Sequence, residues 1–249
     1  MTVETWEVAG PPDGPLIVFI HGTRVTRTMW RAVVGRLANT YRCVSVDLPG
    51  HGTLGKRTFT LDAAADVVDA AIDSAGGGPA VLVGHSLGGY VALAVAARAP
   101  RRVRGLVLAG STAEPSGPVA AAFRLYAWAL GAAPQRPLDA INSWFFRHRY
   151  PPEIAEPIIA SGYWSRGGAV AVRSLPRTRF RERLRAYGGP ILVINGDLDF
   201  VFRLGERSFL REVPNVSRRV FGWTTHLSPL DRPDAFAAAV RDFTERLTD

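Results

Sequence analysis

Apolar residues along this chain gather in short blocks that alternate with longer amphipathic segments. Short apolar blocks bounded by turn-forming residues are typical of buried strands, and they lie at 16–20, 43–47, 80–83, 103–109, 191–195 and 216–221. Residues 3–8 alternate apolar and polar positions, which predicts an edge strand. Segments at 28–37, 61–75, 90–98, 204–212 and 233–247 predict helices. Because strand and helix signals alternate, the pattern predicts an α/β fold, with a mostly parallel twisted sheet flanked by helices.

This alternation stops between residues 111 and 186. The segment contains many prolines and the tryptophans Trp128, Trp144 and Trp164, and it shows no clear strand pattern. It therefore predicts a mostly helical insertion whose ends lie between two strands of one sheet. We expect a core domain of residues 1–111 and 187–249, with a helical cap, residues 112–186, inserted into it.

The bulk composition is that of a soluble globular protein. With 249 residues, 47% hydrophobic and 21% charged, the chain is long enough for one large α/β domain or two small ones. No apolar run approaches the ~18 residues that span a membrane. Residues 1–15 have neither the basic nor the apolar region of a signal peptide, so we expect a cytoplasmic protein without a membrane partner. The single cysteine, Cys43, lies in an apolar run; it excludes an internal disulfide and is interpreted as a buried thiol rather than a reactive one.

The chain is strongly basic, with a formal net charge of +8. Lys56 is the sole lysine among the 30 basic residues, so arginine supplies almost all of the positive charge. Such a balance raises the possibility of a nucleic-acid or anionic partner. The arginines are spread over most of the chain and no nucleic-acid motif accompanies them, so we expect no nucleic-acid partner. The densest cluster, residues 173–185, favours a solvated helix face over an anion-binding mouth.

The most informative motif runs from Gly84 to Gly88 and reads Gly-His-Ser-Leu-Gly, which fits the pattern G-x-S-x-G. A predicted strand precedes it and a predicted helix follows, as in a nucleophile elbow, where a sharp turn exposes a serine at the carboxyl edge of the sheet. The alternative is an ordinary tight turn in which Ser86 caps the helix. The two interpretations differ in what they require elsewhere, because a nucleophilic serine needs a base and an acid.

A base and an acid occur downstream in the required order of serine, acid, histidine. His226 lies in the loop after the last predicted strand and is favoured over His148, whose neighbours in the cap are basic. Asp199 follows the predicted strand 191–195 and is favoured as the acid. Asp197 stays open as the alternative, although an aspartate so early in a turn often bonds only its own backbone.

Two backbone N–H groups are candidates for the oxyanion hole, the pair of donors that stabilises negative charge on the reacting oxygen. Leu87 provides one at the start of the helix after Ser86. Thr23 provides the other in the loop after strand 16–20. His21 and His85 are interpreted as residues that shape this region without taking part in the chemistry.

The chain resembles a cap-bearing α/β-hydrolase. The resemblance rests on motifs that span most of the chain in the right order: His21-Gly22 with Trp30 downstream, Asp47-Leu48-Pro49-Gly50-His51-Gly52, Gly84 to Gly89, Gly196-Asp197-Leu198-Asp199, and His226 before Asp231-Arg232-Pro233. It implies a catalytic triad of Ser86, His226 and Asp199, a helical cap, and no metal or organic cofactor. The residues Thr53-Leu54-Gly55 and Thr224-Thr225 depart from the usual motifs, which puts the pocket rather than the triad in doubt.

The leading hypothesis is therefore a serine hydrolase that cleaves a carboxylic ester, lactone or thioester through an acyl-enzyme intermediate. Other chemistry of the same triad stays open (carbon–carbon bond hydrolysis, cofactor-free haloperoxidase or lyase activity), as does a non-catalytic ligand-binding protein. Epoxide hydrolases and dehalogenases of this fold are disfavoured because they carry aspartate where this chain has Ser86.

We expect a small-molecule substrate with an apolar or aromatic part, and leave the oligomeric state open. The predicted substrate-binding residues are Arg24, Trp128, Trp144, Phe145, Trp164 and Trp223. The alternative for the cap aromatics is that most form the cap's own core or its seam with the sheet. Arginines of the cap, such as Arg124, Arg147 and Arg173, would suit an anionic substrate group.

Overall fold

A computed structural model describes residues 5–247 of the chain. Within these residues one seven-stranded sheet has the strand order β1-β3-β2-β4-β5-β6-β7. Strand β1 is antiparallel to β3 and every other pair is parallel, which confirms the predicted fold class. The strands are β1 Trp6–Ala9, β2 Leu16–Ile20, β3 Arg42–Val46, β4 Ala80–His85, β5 Val103–Ala109, β6 Ile191–Gly196 and β7 Val216–Phe221.

Helices connect the strands and cover both faces of the sheet. They are α1 Arg31–Val34, α2 Leu61–Ser74, α3 Leu87–Arg98, α4 Gly117–Ala132, α5 Gln135–Arg149, α6 Pro152–Ala160, α7 Ser165–Ser174, α8 Phe180–Tyr187, α9 Phe200–Phe209, α10 Ser228–Asp231 and α11 Pro233–Glu245. Short 3-10 helices lie at Arg27–Trp30, Gly52–Leu54, Pro100–Arg102 and Leu175–Arg177. No helix within residues 5–247 is long and apolar enough to cross a membrane.

Most predicted elements differ from the structure by one to four residues at their bounds, and three of them show why. The edge strand predicted at 3–8 is observed as Trp6–Ala9, and residues 3 and 4 lie outside the described part of the chain. The helix predicted at 28–37 is a 3-10 turn followed by the single-turn helix α1. The helix predicted at 204–212 starts earlier, at Phe200, and ends before Glu212, whose φ of +63° is incompatible with a right-handed helix.

Two hydrophobic layers enclose the sheet. On one face α2, α3 and α8 pack against the strands; on the other, α1, α11 and the 3-10 helix Arg27–Trp30 do so. Strands β4 and β6 are buried along their whole length, as their continuous apolar sequences predict. The carboxyl ends of these strands meet at one edge of the sheet, where the loops that follow β2, β4, β5 and β6 come together.

Five helices, α4 to α8, lie between β5 and β6. Helix α7 packs closely over two core loops, because a Cβ on Gly167 would lie 1.9 Å from the carbonyl oxygen of Gly50, and one on Gly168 would lie 2.4 Å from Thr23 Oγ1. Helix α8 instead packs on α3, with the Phe180 ring 4.6 Å from that of Tyr90. We propose that the cap consists of α4 to α7, and that α8, within the expected range 112–186, belongs to the layer that covers the sheet.

Candidate active site

Ser86 is the single residue that separates β4 from α3. Its backbone has φ +51° and ψ −114°, a conformation that costs a non-glycine residue about 1–3 kcal/mol and that tight packing must enforce. That packing is visible at two glycines: a Cβ on Gly84 would lie 2.4 Å from the Gly88 carbonyl oxygen, and one on Gly88 would lie 2.1 Å from that of Ile20. The turn is therefore sharp, and it leaves Ser86 half-buried at the carboxyl edge of the sheet.

His226 and Asp199, the predicted base and acid, are in direct contact. His226 Nδ1 lies 2.7 Å from Asp199 Oδ2, so the imidazole donates its Nδ1 proton to the carboxylate and keeps Nε2 free to accept one. The Asp199 side chain is 5% exposed and that of His226 36% exposed, so the acid is enclosed while the base reaches the solvent side. Phe202 of α9 stacks on the imidazole with a ring-centroid distance of 4.9 Å and an interplanar angle of 14°.

Asp197, the alternative acid, has a different role in the structure. Its carboxylate accepts hydrogen bonds of 2.9 Å from the backbone N–H groups of Trp223 and Thr224. The bond from Thr224, followed by that from Trp223, lowers the pKa of Asp197. Asp197 therefore joins the loop after β6 to the loop after β7, and Asp199 is the carboxylate that meets His226.

Asp231 holds the histidine loop from the other side. Its Oδ2 accepts from the N–H and the hydroxyl of Thr225 at 2.7 and 2.6 Å, and its Oδ1 accepts from Tyr150 at 2.8 Å. The threonine that departs from the family motif thus supplies two anchoring bonds. His148, the rejected base, packs against Trp144 along α5, with the rings tilted by 30° and their centroids 4.4 Å apart.

Gly110, directly after β5, lies against His226 and next to the residue that binds the elbow. The Ser86 N–H donates to the Ala109 carbonyl oxygen at 2.8 Å, which ties the elbow to the end of β5. The next residue, Gly110, has φ +57°, and a Cβ there would lie 2.7 Å from His226 Cε1 and 2.8 Å from His226 Nδ1. The imidazole therefore packs on the bare Cα of Gly110. Neither Gly110 nor Phe202 was identified from the sequence, since a glycine after a strand and an aromatic residue in a helix are common.

Three buried histidines surround these residues, namely His21, His51 and His85. Burial lowers the pKa of all three, to about 3 for His51 and His85, so they are neutral near pH 7. His85 Nε2 donates to the His226 carbonyl oxygen at 2.8 Å, and the two rings lie 4.8 Å apart. His21 Nε2 accepts from the Leu48 N–H at 3.0 Å, which leaves its Nδ1 to donate to the Gly22 carbonyl oxygen at 2.7 Å. These contacts fix loop backbones around the site.

The loop that carries Thr23 is held close to the elbow. A Cβ on Gly22 would lie 2.6 Å from His85 Nδ1, so only glycine allows this approach. Farther along, Asp47 is buried and accepts from the N–H of Arg27 at 3.0 Å and from the N–H and hydroxyl of Thr53 at 2.9 and 3.0 Å, in addition to an ion pair with the Arg27 guanidinium. Thr53, the second departure from the family motif, thus helps to fix the loop after β3 against the loop after β2.

The predicted substrate-binding residues fall into two groups. Arg24 and Trp164 lie at the seam between cap and core: Arg24 Nε donates to Ser165 Oγ at 3.3 Å, the Trp164 N–H donates to the Arg24 carbonyl oxygen at 3.0 Å, and the Trp164 ring packs on Gly55. The others lie on the surface, with exposed fractions of 63% for Trp128, 61% for Trp144, 41% for Phe145 and 82% for Trp223. The structure thus brings Arg24 and Trp164 together at this seam and the other four to the surface, and substrate binding by all six stays a prediction.

Together these contacts bring a strained serine, an Asp–His pair and the Thr23 loop to one edge of the sheet. Such an arrangement can transfer the serine proton to His226 and stabilise the resulting charge through Asp199. Within residues 5–247, no group of three His, Cys, Asp or Glu side chains is arranged to hold a metal ion.

The chain is similar to proteins of known family over almost its whole length. The model of a family described as the alpha/beta hydrolase family matches residues 17–239. The pimeloyl-(acyl-carrier protein) methyl ester esterase of Neisseria meningitidis serogroup C is 32% identical over 94% of this chain and 95% of that protein. The 3-oxoadipate enol-lactonase 1 of Acinetobacter baylyi is 25% identical over 97% and 92%, respectively. A solved structure of a thermophilic esterase from Thermogutta terrifontis superposes with a TM-score of 0.81 at 27% identity, covering 97% of this chain and 93% of that one.

Proposed function

The chain belongs to the alpha/beta hydrolase family, and from that premise we propose that it hydrolyses a carboxylic ester with Ser86 as the nucleophile. The observation that carries the proposal is the 2.7 Å hydrogen bond between Asp199 and His226, on an imidazole that packs on Gly110 beside the elbow. The enclosed carboxylate, the fixed tautomer of the imidazole and the strained serine occur together, which favours a catalytic site over one that has lost its activity.

In the proposed reaction Ser86 Oγ attacks the ester carbonyl carbon while His226 Nε2 takes the hydroxyl proton. The N–H groups of Leu87 and Thr23 stabilise the oxyanion of the tetrahedral intermediate. The intermediate collapses when His226 returns the proton to the leaving alkoxide oxygen, which releases the alcohol and leaves an acyl-serine. Water, deprotonated by His226, then attacks the acyl carbon; Ser86 leaves with the proton, and the acid is released.

The proposed substrate is a small ester with an apolar or aromatic part. Support comes from the relative that is 32% identical over 94% of the chain, whose name describes the cleavage of a methyl ester. It also comes from the seam between cap and core, where the Trp164 ring packs on Gly55 and the Trp164 N–H donates to the Arg24 carbonyl oxygen. A substrate bound at this seam would place its carbonyl group near the two oxyanion donors.

A second candidate is the hydrolysis of a lactone, which is an internal ester cleaved by the same steps. The relative named as an enol-lactonase favours it, since its alignment covers 97% of the chain. The two candidates differ only in whether the leaving oxygen stays attached to the acyl group. They are therefore distinguished by substrate and not by the catalytic residues.

The test is hydrolysis of a panel of aryl esters, methyl esters and lactones by the purified protein and by Ser86→Ala. We expect turnover by the native protein and a loss on the order of 10⁴-fold or more in Ser86→Ala. Ser217→Ala, at an exposed serine of β7, is the matched control and should keep the native rate. Equal hydrolysis by Ser86→Ala and the native protein would remove Ser86 as the nucleophile. No hydrolysis of any member of the panel would argue for a ligand-binding role instead.

A further inference from the structure

Helix α9 carries a buried carboxylate that the proposed chemistry does not use. Glu206 is 4% exposed, and its Oε2 accepts from Asn195 Nδ2 at 2.7 Å and from Arg203 Nη1 at 2.9 Å. Arg218 Nη1 lies 3.6 Å from Oε1. A buried carboxylate is costly unless it is both paired and hydrogen-bonded, and Glu206 meets both conditions. Such a group ties α9 firmly to the end of β6, where Asn195 lies.

Asn195 is fully buried and also forms hydrogen bonds with Gly110 and Thr112. Its Oδ1 accepts from the Gly110 N–H at 3.1 Å. Its Nδ2 also donates to Thr112 Oγ1 at 3.0 Å, and the Thr112 hydroxyl in turn donates to the Phe202 carbonyl oxygen at 2.8 Å. The Glu206–Asn195 network therefore has one branch that ends at Gly110 and another that ends at Phe202.

Both branches end at residues that touch the imidazole of His226. Gly110 packs under the ring, since a Cβ there would lie 2.7 Å from Cε1, and Phe202 stacks on the ring at 4.9 Å. The helix that carries Phe202 and Glu206 also begins directly after Asp199, whose carbonyl oxygen accepts from the Arg203 N–H at 2.9 Å. The position of α9 thus sets the acid and one of the two surfaces that hold the base.

We propose that Glu206 is a positioning residue: it fixes Gly110 and Phe202 through Asn195, and Asp199 through helix α9, so that His226 is held in the orientation that serves Ser86. The proposal rests on the proposed function, because ester hydrolysis is one of its two readouts. The decisive group is the acceptor oxygen that Glu206 presents to Asn195. Glutamine at position 206 would keep such an oxygen, whereas leucine would fill similar space without one.

The first readout is the split between kcat and KM in Glu206→Leu and Glu206→Gln. We expect Glu206→Leu to lower kcat by ~10-fold or more with KM changed less than ~2-fold, because a displaced base weakens the chemical step rather than binding. Glu206→Gln should keep kcat within ~3-fold of the native value. Thr244→Val, which removes a buried hydroxyl of α11 outside the network, is the control for lost stability and should keep the native kcat.

The second readout does not depend on hydrolysis. The proton shared by His226 Nδ1 and Asp199 should give a low-field proton resonance, assigned by its loss in His226→Gln. We expect this resonance to shift or vanish in Glu206→Leu and to persist in Glu206→Gln and Thr244→Val. If Glu206→Leu does not fold, Thr112→Val, which keeps the side-chain shape and cuts only the branch to Phe202, should give a smaller loss of kcat in the same direction.

The outcomes separate the two proposals. If the native protein hydrolyses no ester, the proposed function fails, while the resonance still tests the positioning role. If the native protein is active but Glu206→Leu, or in its place Thr112→Val, has the native kcat and an unchanged resonance, the positioning role is overturned. An equal loss in Glu206→Leu and Glu206→Gln would also overturn it, since the acceptor oxygen would not be the decisive feature.

Discussion

Replacement of Gly110 by alanine tests whether the imidazole of His226 depends on a residue without a side chain. A Cβ at this position would lie 2.7 Å from His226 Cε1, whereas ordinary contacts start at 3.4 Å, so the ring must withdraw by roughly 0.7 Å. The same Cβ would lie 3.3 Å from Asp199 Oδ2, which limits retreat towards the acid. The expected result is a displaced base and a weakened Asp199–His226 hydrogen bond.

The magnitude follows from how sharply catalysis depends on geometry. A displacement of about 1 Å at a reacting group can cost about 100-fold in rate, so we expect kcat/KM to fall by ~10- to 100-fold. The backbone contributes separately, because a non-glycine residue at φ +57° is strained by about 1 kcal/mol or more. That second effect lowers stability and not the activity of the folded molecules.

Gly188→Ala separates the two effects. Gly188 has φ +65°, close to that of Gly110, but a Cβ there meets nothing within 4 Å. Both variants should lose about 1 kcal/mol of unfolding free energy, measured by urea denaturation. Only Gly110→Ala should lose kcat/KM in steady-state hydrolysis of an aryl ester. If Gly110→Ala keeps the native kcat/KM while its stability falls as in Gly188→Ala, the ring does not depend on this contact and the reasoning is wrong.

Three further predictions concern the loops around the site. Burial lowers the pKa of the three buried histidines, so below about pH 6.5 the unfolded chain binds more protons than the native protein. The free energy of unfolding should therefore fall with decreasing pH, by up to about 1.4 kcal/mol per pH unit for each histidine. Equal urea midpoints at about pH 7 and about pH 5 would contradict this. Asp199→Asn should reduce kcat by ~10³- to 10⁴-fold. Asp197→Asn, which weakens the bonds to two backbone N–H groups, should mainly lower the thermal midpoint of unfolding. A larger loss of kcat in Asp197→Asn would mean that Asp197, and not Asp199, is the acid of the triad. Gly168→Ala places a Cβ 2.4 Å from Thr23 Oγ1 and should impair hydrolysis, while Gly131→Ala, where the nearest atom is 3.8 Å away, should not; equal rates would mean that α7 does not constrain the Thr23 loop.

Much of the fold could be predicted from the sequence because the buried strands carry continuous apolar runs. Strands β4 and β6 leave no polar position along their length apart from their ends, so their burial and parallel pairing follow from composition. The bounds of α9 could not be predicted in this way, because its exposed face carries the apolar residues Phe200, Val201 and Leu204, which blur the helical period.

In the candidate site too, some residues could be predicted from the sequence and others could not. Ser86, Asp199 and His226 follow from a motif and from chain order. Gly110, Phe202 and Glu206 act through contacts between segments far apart in sequence, so no local pattern marks them. Helix α8 shows the same limit, since only its packing on α3 distinguishes it from the helices α4 to α7 that we propose as the cap.

The most direct test of Ser86 as the nucleophile is to locate the covalent adduct formed with a fluorophosphonate, a reagent from which an activated serine displaces fluoride. After digestion of the labelled protein, peptide mass spectrometry identifies the modified residue. We expect one adduct per chain, on Ser86, absent in Ser86→Ala and formed far more slowly in His226→Gln. An adduct on another serine, or complete loss of ester hydrolysis while Ser86 stays unmodified, would contradict the assignment of Ser86 as the nucleophile.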